Sequence, residues 1–144
     1  MAGSKIANLE FSKKYFTIGE AENLLPRIEK ILRRVVKLNK ALDLLSSIEV
    51  EVYDDDYENL RKVIKMNRHF HRLSYEFYSG IESLQSMGCI VRDYDTWAID
   101  FYSRFEGRDI FLCWKMGENS IRFWHEADES CMERKPILDL VGNK

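Results

Sequence analysis

Proline and glycine are scarce in this chain, at two and seven of 144 residues, so neither a collagen-like repeat nor a low-complexity linker is present. The three cysteines, Cys89, Cys113 and Cys131, are an odd number and form no CxxC pair. That excludes a disulfide framework and a four-thiolate zinc site. Neither sign of charge is in excess: 22 basic side chains face 24 acidic ones, a net charge of -2. A near-balance of this kind argues against a protein built to coat nucleic acid or an anionic membrane. Long apolar runs are missing too. Ile110–Trp114 is among the densest, far short of the roughly 20 residues that span a bilayer. The stretch MAGSKIANLEFSKKYF has no apolar segment of signal-peptide kind. A reducing, cytoplasmic setting is the expectation.

What is present is a core. Apolar residues make up 45% and aromatics 12%, enough to bury the interior of one domain spanning residues 1–144. Thr17-Ile18-Gly19-Glu20 reads as a capping box, with Phe16 placed to staple onto Ala21. Ala21, Leu25, Ile28, Leu32, Val35, Leu38, Leu42 and Leu45 then recur at the spacing of one helical face. Pro26 falls inside this run, where it predicts a kink or a short helix ending near Leu25. A second stripe runs from Leu60 through Ile64, His71 and Phe77 to Leu84, and Met87-Gly88 supplies its stop. Its acidic start, Asp54, Asp55, Asp56 and Glu58, suits a helix N-terminus and lacks the oxygen pattern of a calcium loop. Ile48–Val52 alternates like a strand between the two. Residues 17–88 therefore predict an antiparallel helical hairpin. Its basic outer faces read as solvated surface rather than as a nucleic-acid platform, and His69 and His71, two apart, cannot share a metal.

After Gly88 the period changes to two, and residues 89–127 predict an antiparallel sheet of three or four strands. Ala98–Phe105, Arg108–Lys115 and Ser120–Glu126 are the central strands, joined by Glu106-Gly107 and by a four-residue turn, Met116–Asn119. These loop lengths set Phe105 opposite Arg108 and Lys115 opposite Ser120. One face then carries the rows Ile99–Trp114–Ile121, Phe101–Leu112–Phe123 and Ser103–Ile110–His125, and forms the core under the hairpin. The other carries Asp100–Cys113–Arg122 and the aromatic row Tyr102–Phe111–Trp124, with Asp100 able to pair with Arg122. The tail, residues 128–144, a second copy of the chain or a ligand would cover that row.

These residues resemble a known family. LCWKMGENSIRFWHE, Leu112–Glu126, is similar to the closing motif of an uncharacterised prokaryotic family, the domain of unknown function numbered twenty-two-oh-three. Tyr15-Phe16-Thr17, Glu20-Ala21, Leu24-Leu25-Pro26, Asp100-Phe101, Gly107-Arg108, Asp128, Arg134 and Pro136 extend the match. The chain departs from the pattern at Trp97, where the family tends to glycine, and at Glu129–Glu133, where the family's link is richer in glycine. The resemblance supports the fold and implies no activity.

The chemistry points weakly in one direction. His125, Glu118, Arg108 and Asp128 are the candidate catalytic or metal-proximal residues near one strand end. A single histidine is a thin metal site, and in the register above His125 faces the core while Cys113 faces away from it. No metal or other cofactor is therefore expected. No P-loop, HExxH or GxSxG occurs. The expected fold is α+β, a long helical hairpin packed on a small antiparallel meander. The expected function is a non-enzymatic cytoplasmic interaction module, a homodimer or a binder of an unidentified protein through Tyr102, Phe111, Trp124, Asp100 and Arg122. The alternatives are a small-molecule or metal-dependent enzyme at the His125 strand end and, more weakly, a nucleic-acid accessory protein; no membrane contact is expected.

Overall fold

The computed structural model describes residues 13–47 and 57–141. The strand-like Ile48–Val52 and the acidic Asp54–Asp56 lie outside the described residues. Two long helices and an antiparallel sheet confirm the α+β class. Helix α1 spans Ile18–Ser46 and α2 spans Tyr57–Ser86. The strands are β1 (Cys89–Asp93), β2 (Ala98–Phe105), β3 (Arg108–Lys115), β4 (Phe123–Glu126) and β5 (Lys135–Pro136), adjacent in chain order. A 3-10 turn, Cys131–Glu133, precedes β5, and a short helix α3, Leu138–Val141, follows it. No helix among the described residues is long and apolar enough to cross a membrane.

The capping box forms as its residue types require: the Thr17 amide donates to Glu20 Oε1 at 3.0 Å and the Glu20 amide to Thr17 Oγ1 at 3.1 Å. Past it, α1 runs through Pro26 as one helix, so the alternative of a short helix ending at Leu25 is not realised. The chain folds as two compact units, one of residues 27–83 and one built from the flanking segments.

The helical unit is a pair of antiparallel arms. Ile28, Leu32, Val35, Leu38, Phe77 and Ile81 are buried in it, and Arg34 bridges to Glu76 on the other arm at 2.8 Å. Leu60, Ile64, Tyr75 and Tyr78 lie on the exposed side of α2. The arms meet closely at Gly80, where a Cβ would stand 2.5 Å from Val35 Cγ2. Gly80→Ala is therefore expected to cost about 1–3 kcal/mol by overpacking. Adding Val35→Ala should restore part of that loss, because it removes the obstructing methyl. Urea midpoints of the two variants, measured by circular dichroism, check both signs.

The sheet unit is organised by β3, whose residues Ile110–Trp114 are buried on both faces. The β2–β3 register is the expected one, with Phe105 opposite Arg108 and Ile99 opposite Trp114. Glu106 and Gly107 both take positive φ, 52° and 77°, as a two-residue hairpin turn demands. Phe16 enters this unit: its amide donates to the Tyr102 carbonyl at 2.7 Å, and its ring meets Phe101 edge-on at 5.3 Å.

The β3–β4 register differs by one residue from the sequence expectation. Phe111 stands opposite His125, Leu112 opposite Trp124, and Cys113 opposite Phe123. The cause lies in the connection. The Glu118 carboxylate accepts the Lys115 amide at 2.6 Å, and its carbonyl accepts Trp114 Nε1 at 2.8 Å, which holds the chain in a loop beyond a simple turn. The Ile121 amide donates to Glu22 Oε1 at 3.3 Å, and the Arg122 carbonyl accepts Ile137 N at 2.8 Å. With these ladder groups spent elsewhere, β4 begins only at Phe123. Because side chains alternate, the one-residue shift exchanges the faces of every β4 side chain.

Candidate functional site

The shift brings His125 and Cys113 to the same face of the sheet, the face that also carries Asp100. It moves Trp124 to the opposite, core face beside Leu112. The expected row Tyr102–Phe111–Trp124 is therefore not formed. Tyr102 and Phe111 do stack, with ring centroids 4.6 Å apart, but the third member of their row is His125, 5.4 Å from Phe111. His125 is not beside Ser103, whose hydroxyl donates instead to the Phe16 carbonyl at 2.7 Å. Nor does Arg122 pair with Asp100; it is exposed and reaches only Ser120 Oγ.

The partner of Asp100 is Arg92 on β1. Ile90 stands opposite Asp100, and a bulge between Val91 and Asp93 leaves Arg92 unpaired in the ladder, within reach of it. Its Nε donates to Asp100 Oδ2 at 3.0 Å, and its guanidinium lies over the Phe111 ring at 4.7 Å. His125 Nε2 meets the same Oδ2 at 2.9 Å, and Nδ1 meets the Glu126 carbonyl at 2.9 Å. Both partners are acceptors, so both ring nitrogens can donate only in the imidazolium form. Burial opposes that charge, yet the Asp100 and Glu126 oxygens outweigh it and raise the histidine above its ordinary value. His125 and Asp100 are 1% and 0% exposed, so this contact is buried within the sheet unit.

The segment after β4 closes over this face. Ser130 caps the 3-10 turn through Met132 N, and the turn delivers Cys131, whose Sγ lies 3.8 Å from Asp100 Oδ1. Arg134 anchors the far end, gripping Glu118 with both terminal nitrogens at 2.9 and 3.0 Å and covering the Phe123 ring at 4.0 Å. The result is a cluster of four potential donors: Asp100, Cys113, His125 and Cys131 each offer one atom, and all four atoms lie within 4.8 Å of one another. Burial pushes both thiols up, and the Asp100 carboxylate adds to the rise in each. On Cys113 the Arg134 guanidinium works against that rise. A pocket of about 330 Å³ opens over Asp100, His125 and Cys131, with Arg92 and Asp128 among its walls.

The other sequence candidates divide. Asp128 lies at the pocket, exposed. Glu118 is not at the cluster itself and serves as the clamp for Arg134. Arg108 is occupied elsewhere, donating to both Glu126 oxygens at 2.7 and 2.8 Å, a pair that holds Glu126 below the usual carboxylate range. Arg92 and Cys131 went unnoticed in the sequence. Arg92 gives no signal of its own. Cys131 carries no periodic signal either, since it sits in the 3-10 turn; the expected register set only Cys113 and His125 on opposite faces.

An exchange of ligands explains how the cluster can take a cation. A tetrahedral zinc ion places sulfur at about 2.3 Å and nitrogen at about 2.0 Å, which spaces neighbouring donors about 3.3–3.8 Å apart. Donors already within 4.8 Å need only draw inward. The Glu126 carbonyl fixes Nδ1–H, so Nε2 is the nitrogen left to ligate once its proton departs; metal-bound histidines are commonly oriented this way. Two thiolates select zinc, copper(I) and similar thiophilic ions over magnesium or calcium.

Residues 14–137 match the model of a family described as an uncharacterized conserved protein (DUF2203). No curated protein and no solved structure matches the chain.

Proposed function

The chain belongs to the DUF2203 family, whose description assigns no activity, and from its own site we propose that it binds a thiophilic divalent metal of the zinc class through Cys113, His125 and Cys131, with the Asp100 carboxylate beside them. The observation that carries the reading is the convergence of four donor atoms from β2, β3, β4 and the 3-10 turn within 4.8 Å. These residues are far apart in sequence, so folding itself assembles the set. Charge supports it as well. A dication, two thiolates, the Asp100 carboxylate and the Arg92 guanidinium sum to zero, a balance that a buried site requires. Reduced thiols suit the reducing cytoplasm, the compartment in which such ligands persist.

The competing account is a hydrogen-bonded His–Asp pair with two bystander thiols. Metal content separates the two. Protein purified untagged, stripped with a chelator and dialysed against one equivalent of zinc is expected to retain one ion per chain by native mass spectrometry. Cys131→Ser, a change at a partly exposed position, should remove it while leaving the circular dichroism spectrum intact. Equal zinc retention by wild type and variant would overturn the proposal.

A further inference from the structure

We infer that the metal at this site keeps one coordination position open to the pocket, and that this position, together with Arg92, takes a small molecule bearing a single carboxylate. The inference rests on the metal reading above and goes beyond it by naming the ligand class.

The division of charge decides which groups ligate. Cys113, Cys131 and His125 neutralise a dication by themselves, as two thiolates and a neutral imidazole. Asp100 is already neutralised by Arg92, which holds its Oδ2 at 3.0 Å. The cluster thus separates into two neutral parts, a three-ligand metal and a carboxylate–guanidinium pair. Three protein ligands with one open position are the arrangement of reactive zinc sites, whereas structural sites close all four. Asp100 Oδ1 lies on the Cys131 side of the cluster, at 3.8 Å from Sγ, where it can accept a proton or a hydrogen bond from water on the metal.

Burial decides which way the open position points. Cys113 is fully buried on the central strand and does not line the pocket, whereas His125, Cys131 and Asp100 do. Cys113 is the floor, so the free side of the ligand set looks out through the pocket. At about 330 Å³ the space lies at the small end of ligand cavities, which run from about 300 to 1,000 Å³.

The walls decide the chemistry of the ligand. Asp93 has both oxygens occupied by the Asp95 and Thr96 amides and the Thr96 hydroxyl, which leave it no free acceptor but keep its negative charge. Glu129 is charge-paired with Lys135, whose ammonium shares its Oε1 with the Glu126 amide. Arg92 is different. Asp100 holds it through Nε and Phe111 lies under its guanidinium, while its side chain is 41% exposed and lines the pocket, and no bond to its terminal nitrogens is made among the described residues. A planar fork of this kind favours carboxylates. Asp128, exposed at the rim, adds a negative charge that disfavours a second anionic group on the ligand.

Cobalt(II) tests this, because its thiolate charge-transfer band reports loading and its d–d bands report coordination. Stripped protein is loaded with one equivalent of cobalt and titrated with acetate, acetamide and imidazole. The expected result is a saturable d–d change with imidazole and with acetate, and a much weaker one with acetamide, the neutral isostere. Arg92→Gln should weaken acetate about tenfold more than it weakens imidazole, the size of one lost charge-assisted hydrogen bond. Should that variant fail to fold, the acetate–acetamide comparison in wild type still decides. Absence of the charge-transfer band would overturn the metal reading itself. A loaded site whose d–d bands respond to none of the three would overturn the open position alone. Equal binding of acetate and acetamide would overturn the role of Arg92.

Discussion

Trp124→Asp is expected to leave the protein unfolded at room temperature, and Trp124→Ala to cost about 3–5 kcal/mol. Trp124 is 5% exposed, stands opposite Leu112, has the Phe105 ring 6.0 Å away and carries the Lys135 ammonium 4.8 Å over its face. A carboxylate in its place would be buried beside Leu112 and Phe105 at a cost of several kcal/mol, which Lys135, already paired with Glu129, offsets only in part, and the packing is lost as well. Against a total stability of about 5–15 kcal/mol the fold does not survive both losses. Trp124→Phe gives the contrast. The indole nitrogen is buried with no hydrogen-bond partner among the described residues, so phenylalanine keeps much of the contact and gives up no bond to them. Urea unfolding followed by circular dichroism measures all three. A folded Trp124→Asp with a midpoint near wild type would place this side chain on the outer face and overturn the β3–β4 register.

That register marks the boundary of what the sequence made legible. The helices, their cap, the stop at Gly88 and the β2–β3 hairpin were readable because each is set by local signals: a Thr-x-x-Glu box, a repeated apolar spacing, a two-residue turn. The β3–β4 connection is not local. Its length depends on Glu118 meeting Arg134, on Glu22 of α1 accepting the Ile121 amide, and on Ile137 bonding back to Arg122. No pattern between Met116 and Arg122 encodes partners so distant in sequence. Hydrophobic alternation favoured the wrong pairing because Ile121 and Phe123 look like strand residues. Ile121 is indeed buried, at 3% exposure, but it reaches the interior from the loop. The candidate site inherited the same error. His125 was recognised as the chemical residue of its strand, but a one-residue slip hid Cys113 and Asp100 from it. Two-residue β5 was missed for the same reason, as a pairing with no periodicity of its own to reveal it.

The largest effect on the proposed chemistry is expected from removing both sulfurs. Cys113→Ala with Cys131→Ser should lower zinc affinity by more than about a thousandfold, since the two thiolates supply most of the selectivity and two of the three protein donors. Metal-free stability should fall by only about 1–2 kcal/mol, the cost of the weak Cys131 contact to Asp100 Oδ1 and of the buried Cys113 sulfur. The pH dependence sharpens the argument. Burial and Asp100 push both thiols up, so they hold their protons across the neutral range and must release them to ligate. Wild-type affinity is therefore expected to rise with pH, by about a hundredfold per unit for two displaced protons. The slope should steepen toward lower pH, where His125, raised by its acceptors, adds a third proton to be displaced. In the double variant only the histidine proton remains, and the slope should fall to about tenfold per unit or less. Competition against a chromophoric chelator between about pH 6 and pH 8 reads both slopes directly. Equal slopes in the two proteins would mean that the thiols never meet the metal, and the ion would then have to sit elsewhere.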